Sequence, residues 1–252
     1  MFILSGGMTL SGGLTFTPTY NLASSGLRVH LDAANTSSYP GSGSTWTDLS
    51  GTGNNATLIN TPVYSASFGG YIGDNGSNTA YMSLANASST LVFGTGDFTI
   101  EIWHRPKFDT TSGSVSAVLF QIGGVLLSWD NIYKSWNGES ISTGGSGTYT
   151  ARPDSNNNIL ALCPQNIWKQ VVYRRQGTTA QIFYNGALVA TGTDNANYTG
   201  GGPQGNYWIG ERDPYPEQQF KCDVSILRIY NRAISNLEIS DNFNLQKTRY
   251  SI

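Results

Sequence analysis

The densest concentration of groups able to hold a ligand lies in Leu127-Ser128-Trp129-Asp130-Asn131-Ile132-Tyr133-Lys134-Ser135-Trp136-Asn137. Three aromatic side chains, Trp129, Tyr133 and Trp136, are interleaved there with Asp130, Asn131 and Asn137. Flat rings bury area against the C–H faces of a sugar, while amide and carboxylate oxygens bond its hydroxyls. These six residues form the candidate glycan-binding set. A second set of the same kind is Tyr198, Tyr207 and Trp208 beside Asn197 and Asn206. The competing role for a tryptophan in a strand-rich chain is core packing, expected for Trp103 and Trp168 and open to Trp129 as well.

Catalytic chemistry finds less support. His30 and His104 are far apart in sequence, with no nucleophile motif beside either, and no phosphate-cradling glycine loop precedes a helix. Both are expected to be ordinary strand histidines. Glycoside hydrolysis needs two carboxylates about 5–10 Å apart across a cleft. Phe98-Thr99-Ile100-Glu101-Ile102-Trp103 supplies Glu101 alone, with Thr99 and Trp103 as its same-face neighbours. A lone strand glutamate is expected to be structural or solvated, so no enzyme activity is expected. Cys163 and Cys222 are too few for a disulfide framework or a zinc site and are expected to be reduced packing residues.

The elements that must position these groups are strands. The chain has 252 residues, a length one large all-β domain can reach. Charged residues make up 12%, about half the usual quarter, against 30 Gly and 14 Tyr. A formal net charge of −2 offers no basic field to displace counterions from phosphates, which argues against nucleic acid as a partner. Arg174-Arg175 is expected on a solvated strand edge. No apolar stretch approaches the roughly 20 residues that cross a bilayer. The N-terminus lacks the basic start and long apolar core of a secretory signal, so synthesis in a cytoplasm is expected.

Phe98, Ile100 and Ile102 alternate onto one face of a strand. Val118–Ile122 and Val125–Trp129 flank Gly123-Gly124, and Gln181–Tyr184 meets Leu188–Ala190 across Asn185-Gly186, both hairpin signatures. Residues 137–158 are polar and rich in Gly, Ser and Asn, which predicts a long exposed loop. Near the C-terminus, Val224–Tyr230 reads as a strand covered on both faces. It is followed by a Ser235-x-x-Glu238 capping box, with Ile234 and Ile239 placed as a hydrophobic staple. One short helical turn is predicted from Ser235. Residues 5–16 hold an equal-length repeat, Ser-Gly-Gly-Met-Thr-Leu then Ser-Gly-Gly-Leu-Thr-Phe. Two such units cannot bury their own apolar side chains, which predicts a docking or oligomerising arm over residues 1–19, with a flexible tail as the alternative.

In order along the chain stand Gly-Leu-x-x-His-Leu-Asp-Ala (26–33), Ser-Tyr-Pro-Gly-x-Gly (38–43) and Trp-x-Asp-Leu-Ser-Gly (46–51). They are followed by Asp-Phe-Thr-Ile-Glu-Ile-Trp (97–103), Tyr-Asn-Gly-Ala-Leu-Val (184–189) and Ile-Tyr-Asn-Arg-Ala-Ile-Ser (229–235). Six pieces in this order resemble the phage-type laminin-G-like, concanavalin-A-like lectin domains over residues 20–252. The resemblance implies an all-β, two-sheet antiparallel jelly-roll sandwich. In the calcium-binding relatives, such as the pentraxins, the segment before the closing strand supplies metal ligands; Glu211, Asp213 and Gln218 hold the matching positions. Hard oxygens suit calcium. The other half-site maps near Gly123-Gly124, where a carboxylate is missing, so no cofactor beyond calcium at that loop is implied.

The Gly-Gly repeats are similar to the N-terminal arms of some tailed-phage virion proteins. The expected protein is therefore a phage virion structural protein, a head decoration or a fibre or tail appendage, assembled in the host cytoplasm. Its arm would contact other virion proteins, it would form homo-oligomers, and its lectin-like domain would adhere weakly to host-surface glycans, many copies giving avidity. The alternatives are a purely structural capsid cement protein and a polysaccharide-degrading enzyme. Neither nucleic acid nor membrane insertion is expected.

Overall fold

The computed structural model describes residues 8–9, 15–16, 19–76, 79–85, 90–108, 110, 117–130, 135–141, 147–152, 163–200, 207–210 and 221–252. In chain order its strands begin with β1 (Met8–Thr9), β2 (Thr15–Phe16), β3 (Leu27–Asp32), β4 (Thr45–Trp46), β5 (Ala56–Ile59), β6 (Val63–Ser65), β7 (Tyr71–Gly73) and β8 (Tyr81–Leu84). They continue with β9 (Phe98–Pro106), β10 (Val118–Ile122), β11 (Val125–Asp130), β12 (Ser135–Ile141), β13 (Gly147–Ala151) and β14 (Lys169–Gln176). The last are β15 (Thr179–Tyr184), β16 (Ala187–Thr193), β17 (Tyr207–Ile209) and β18 (Cys222–Tyr230), before helix α1 (Asn236–Gln246) and a 3₁₀ turn (Lys247–Tyr250).

The strands build two antiparallel sheets. A front sheet runs β13-β12-β11-β10-β17-β8-β5-β4, and a back sheet runs β16-β15-β14-β9-β18-β7-β6, with β3 also paired to β18. This is the all-β sandwich that the sequence predicts. Met8 pairs with Phe16 and Thr9 with Thr15 in a separate two-stranded ladder. Both two-residue hairpins form with left-handed backbones, Gly123 and Gly124 at φ 59° and 92° and Asn185 and Gly186 at 49° and 81°. That twist matches the strands on either side.

Alternation explains the core. Phe98, Ile100 and Ile102 of β9 point between the sheets, where they meet Phe120, Leu127, Trp136 and Leu227 in one buried cluster. The opposite face of β9 is covered by the C-terminal segment. Trp103 stacks on Phe243 and Tyr250 at 5.8 and 4.5 Å, and Ile239 joins Val172, Phe183, Tyr230 and Ile234 in a second cluster. Every residue of β18 is therefore buried. The capping box is complete: Glu238 N–H donates to Ser235 Oγ, and Ser235 N–H donates to Glu238 Oε2. The staple residues Ile234 and Ile239 are both fully buried. α1 runs 11 residues rather than one turn, because Ile239 and Phe243 keep returning to the same covered face.

Two further expectations are corrected. Ser135–Ile141 and Gly147–Ala151 are strands, not an exposed loop, because the polar side chains of β12 lie on a sheet face that is itself buried. Gly138 faces inward, where an added Cβ would lie 2.4 Å from the Tyr173 ring. Arg174 and Arg175 are 5% and 2% exposed because β14 is an interior strand. Arg174 bonds Gln181 and the Ile234 carbonyl, and Arg175 bonds the Gly177 and Ala196 carbonyls. Cys163 and Cys222 are free thiols, both buried. No helix among the described residues is long and apolar enough to cross a membrane.

Candidate functional site

The structure redistributes the residues first marked for sugar. Trp129 and Trp136 are cross-strand partners on the core face of β11 and β12, 6% and 0% exposed, with ring centroids 5.4 Å apart. Trp136 Nε1–H donates to His104 Nε2 at 2.8 Å, and Trp136 N–H donates to Tyr184 Oη. Burial pushes the His104 pKa down to about 3, so the ring is neutral and its nitrogen can accept. Asn137 is fully buried and accepts from Ser135 Oγ. The reading of Trp129, Trp136 and Asn137 as exposed sugar contacts is therefore corrected: strand alternation and a covered sheet face bury all three. Asp130 closes β11 opposite Ser135. The Asp130 side chain, Asn131 and Tyr133 lie outside the described residues, as do Glu211, Asp213 and Gln218 of the calcium segment. Among the described residues no cluster of three His, Cys, Asp or Glu side chains could hold a metal.

Glu101 is structural. It is fully buried; its Oε1 accepts from Trp103 Nε1, Gln170 Nε2 and Arg228, and its Oε2 accepts from Asn242 Nδ2. Fully buried and held by four structural donors, this acid is closed to a substrate.

The candidate surface is the outer face of the front sheet. Residues directly opposite one another on paired strands share a face. The register places Tyr149, Glu139, Leu126, Gln121, Trp208, Ser83, Thr57 and Thr45 in one row across all eight strands. The row has two unlike halves. On β10 to β12 it is closed: Val118, Leu126 and Ile141 form a buried cluster, and Gln121, Ser128, Asn137 and Glu139 are buried beside them. Ser128 Oγ donates to Glu139 Oε1 there.

On β17, β8, β5 and β4 the same face is open. Trp208, Ser83, Tyr81 and Ile59 are half-buried, and Thr57 and Thr45 are exposed. Trp208 and Tyr81 are diagonal neighbours with ring centroids 5.6 Å apart and planes at 60°. Tyr81 pairs with Ile59, so an apolar row lies beside the hydroxyl row of Ser83, Thr57 and Thr45. In the sequence Trp208 stands out only as part of a second aromatic set, and Tyr81, the first residue of Tyr-Met-Ser-Leu, carries no signal beyond alternation.

The open edge of this face is held by the loop after β4. Asp48 accepts from the N–H groups of His30, Ser50 and Asn54 and from the hydroxyls of Ser50 and Thr52. Burial alone would raise the Asp48 pKa, but these donors outweigh it and hold the carboxyl below its ordinary range. The Trp-x-Asp-Leu-Ser-Gly motif is thus a loop clamp. An open cleft of about 240 Å³ lies elsewhere, lined by Leu91, Val92, Phe93, Asp97 and Asn231. With its amide turned to satisfy both groups, Asn231 bonds Arg28 and the Gly26 carbonyl.

Comparison with known proteins places this geometry. A laminin G family model, described as the concanavalin A-like lectin/glucanases superfamily, matches residues 74–240. The chain belongs to this superfamily. The matched span includes β8 and β17, which carry the aromatic pair of the open face. No curated protein sequence matches this concanavalin A-like chain. Among solved structures it is similar to the binding domain of Paraclostridial Mosquitocidal Protein 1, with TM-score 0.60 and 16% identity over 87% of this chain and 52% of that one. It is also similar to domain 4 of AbnA, an extracellular arabinanase from Geobacillus stearothermophilus, in complex with arabinotriose (TM-score 0.59, 17% identity, 85% and 97% covered). A third is the receptor binding domain of botulinum neurotoxin D (TM-score 0.63, 13% identity, 88% and 53% covered). The chain spans about half the length of the first and third. Identities this low show the fold alone.

Proposed function

We propose that this chain is a lectin-like binding domain that holds saccharide on the open half of the front sheet. The observation that carries the reading is the partly exposed Trp208–Tyr81 pair beside a row of hydroxyls on a rigid sheet. Aromatic area takes the C–H face of a sugar and the hydroxyl row takes its polar edge. A binding rather than catalytic role is supported by Glu101, which is consumed by structural bonds, and by the lack of an acidic residue on β4, β5, β8 and β17. The structure of AbnA domain 4 with arabinotriose is a precedent for sugar on this fold.

We place the domain on a phage virion, as a head decoration or a fibre or tail appendage, adhering weakly to host-surface glycans through many copies. The six ordered motifs and the Gly-Gly arm support this, and the β1–β2 ladder, unpaired with either sheet, is consistent with a separate arm that contacts other virion proteins. The alternative is a cement protein without sugar binding. A glycan array with the intact chain and with Trp208→Ala tests the choice: binding lost in the variant supports the lectin reading, and an intact chain that binds no glycan supports the cement.

A further inference from the structure

The open strip has a length, a direction and a charge, and together they narrow the ligand. From Trp208 through Ser83 and Thr57 to Thr45 it crosses four adjacent strands. Three strand spacings of about 4.8 Å make a path of about 14 Å. One strand spacing is close to the advance of one pyranose ring along an extended glycan, so β8, β5 and β4 can each present one hydroxyl to one sugar unit while β17 presents the Trp208 ring. The second row, Tyr81 and Ile59, runs alongside and is apolar. A two-sided strip of this kind matches the two-sided character of a sugar chain, with hydroxyls on one edge and C–H groups on the faces.

Charge decides the class. The four strands read Thr-Trp, Ala-Thr-Leu-Ile, Tyr-Met-Ser-Leu and Tyr-Trp-Ile, with no Lys, Arg, His, Asp or Glu. Along these four described strands an anionic sugar would give up water without gaining a cation, which is unfavourable unless the charge stays in solvent. The strip is also closed at one end, because the next residue in the row, Gln121, is fully buried. A chain can extend past Thr45 at the β4 edge but not past Trp208.

From this juxtaposition we infer that the strip takes an uncharged, linear oligosaccharide of a few units, laid across the strands with one end against Trp208. The inference rests on the lectin reading above and specifies its ligand. It is tested by titration calorimetry with neutral linear gluco-, xylo-, manno-, galacto- and arabino-oligosaccharides from monomer to hexamer, alongside sialylated and sulfated oligosaccharides.

The expected result is affinity that rises with length for at least one neutral series, levels off once the strip is filled, and is insensitive to salt. Thr57→Lys, at an exposed position, is expected to weaken the longer ligands about tenfold and to leave the monomer unchanged. Preference for the anionic glycans, a monomer bound as tightly as its hexamer, or long-ligand affinity unmoved by Thr57→Lys would overturn the inference while leaving the lectin reading intact, provided Trp208→Ala still abolishes binding. If no saccharide binding depends on Trp208, the lectin reading fails and this inference falls with it.

Discussion

Glu101 and Arg228 stand directly opposite each other on β9 and β18, fully buried and joined by a 2.9 Å ion pair. The same carboxylate takes Trp103 and Gln170 on one oxygen and Asn242 on the other. Asn242 Oδ1 in turn accepts the Ala23 N–H. One acid thus ties β9, β14, β18, helix α1 and the segment before β3 together.

Glu101→Ala is expected to destabilise the domain by about 3–5 kcal/mol, because Arg228 is left buried and uncompensated. Urea denaturation of the variant measures it. A loss below about 1 kcal/mol would show that the network does not hold the back of the sandwich.

The sandwich was legible in the sequence because alternation, two-residue hairpins and the capping box act locally. Phe98, Ile100 and Ile102 declare their face by spacing alone, and Ser235 and Glu238 satisfy amides three residues away. The site was less legible because it depends on which sheet face is covered, a tertiary fact. Trp136 and Asn137 look exposable in a polar segment, yet both are buried. Trp208 and Tyr81 are about 127 residues apart in sequence and meet only through the β17–β8 pairing. Arg174 and Arg175 misled for the same reason: charge suggests an edge, while the topology makes β14 interior.

Stability is expected to fall with acid earlier than carboxylate titration requires. Burial holds His104 near a pKa of about 3, and burial with the Arg228 charge holds His30 near about 4, against 6.5 when unfolded. Both folded values are depressed, so the folded state resists protons that the unfolded chain binds. Their contribution is complete above pH 6.5 and is lost as pH falls below it. For His104 the slope is about 1.4 kcal/mol per pH unit, roughly 2 kcal/mol by pH 5. His104→Gln keeps an acceptor for Trp136 and is expected to remove about half of the pH dependence of the urea midpoint between pH 7.5 and about 5, His30 supplying the rest. An unchanged slope would assign the acid sensitivity elsewhere.

Ser235→Ala removes the side chain that accepts the Glu238 N–H and is expected to cost about 1 kcal/mol. A thermal melt indistinguishable from the parent would mean that the Arg232–Glu238 pair secures the start of α1 without the cap.

Deleting residues 1–19 is expected to abolish virion incorporation or self-association while leaving the melting temperature nearly unchanged, since two short Gly-Gly units cannot contribute a core. Normal loading of the truncated chain onto particles would remove the docking role from the arm.

The most direct measurement pairs binding with stability for Trp208→Ala and Trp136→Ala. Trp208→Ala is expected to abolish binding to the best array glycan at a stability cost below about 1.5 kcal/mol, and Trp136→Ala to cost about 3–5 kcal/mol as a core truncation. Saccharide binding that survives Trp208→Ala in a folded domain would contradict the assignment of the open front-sheet face as the site.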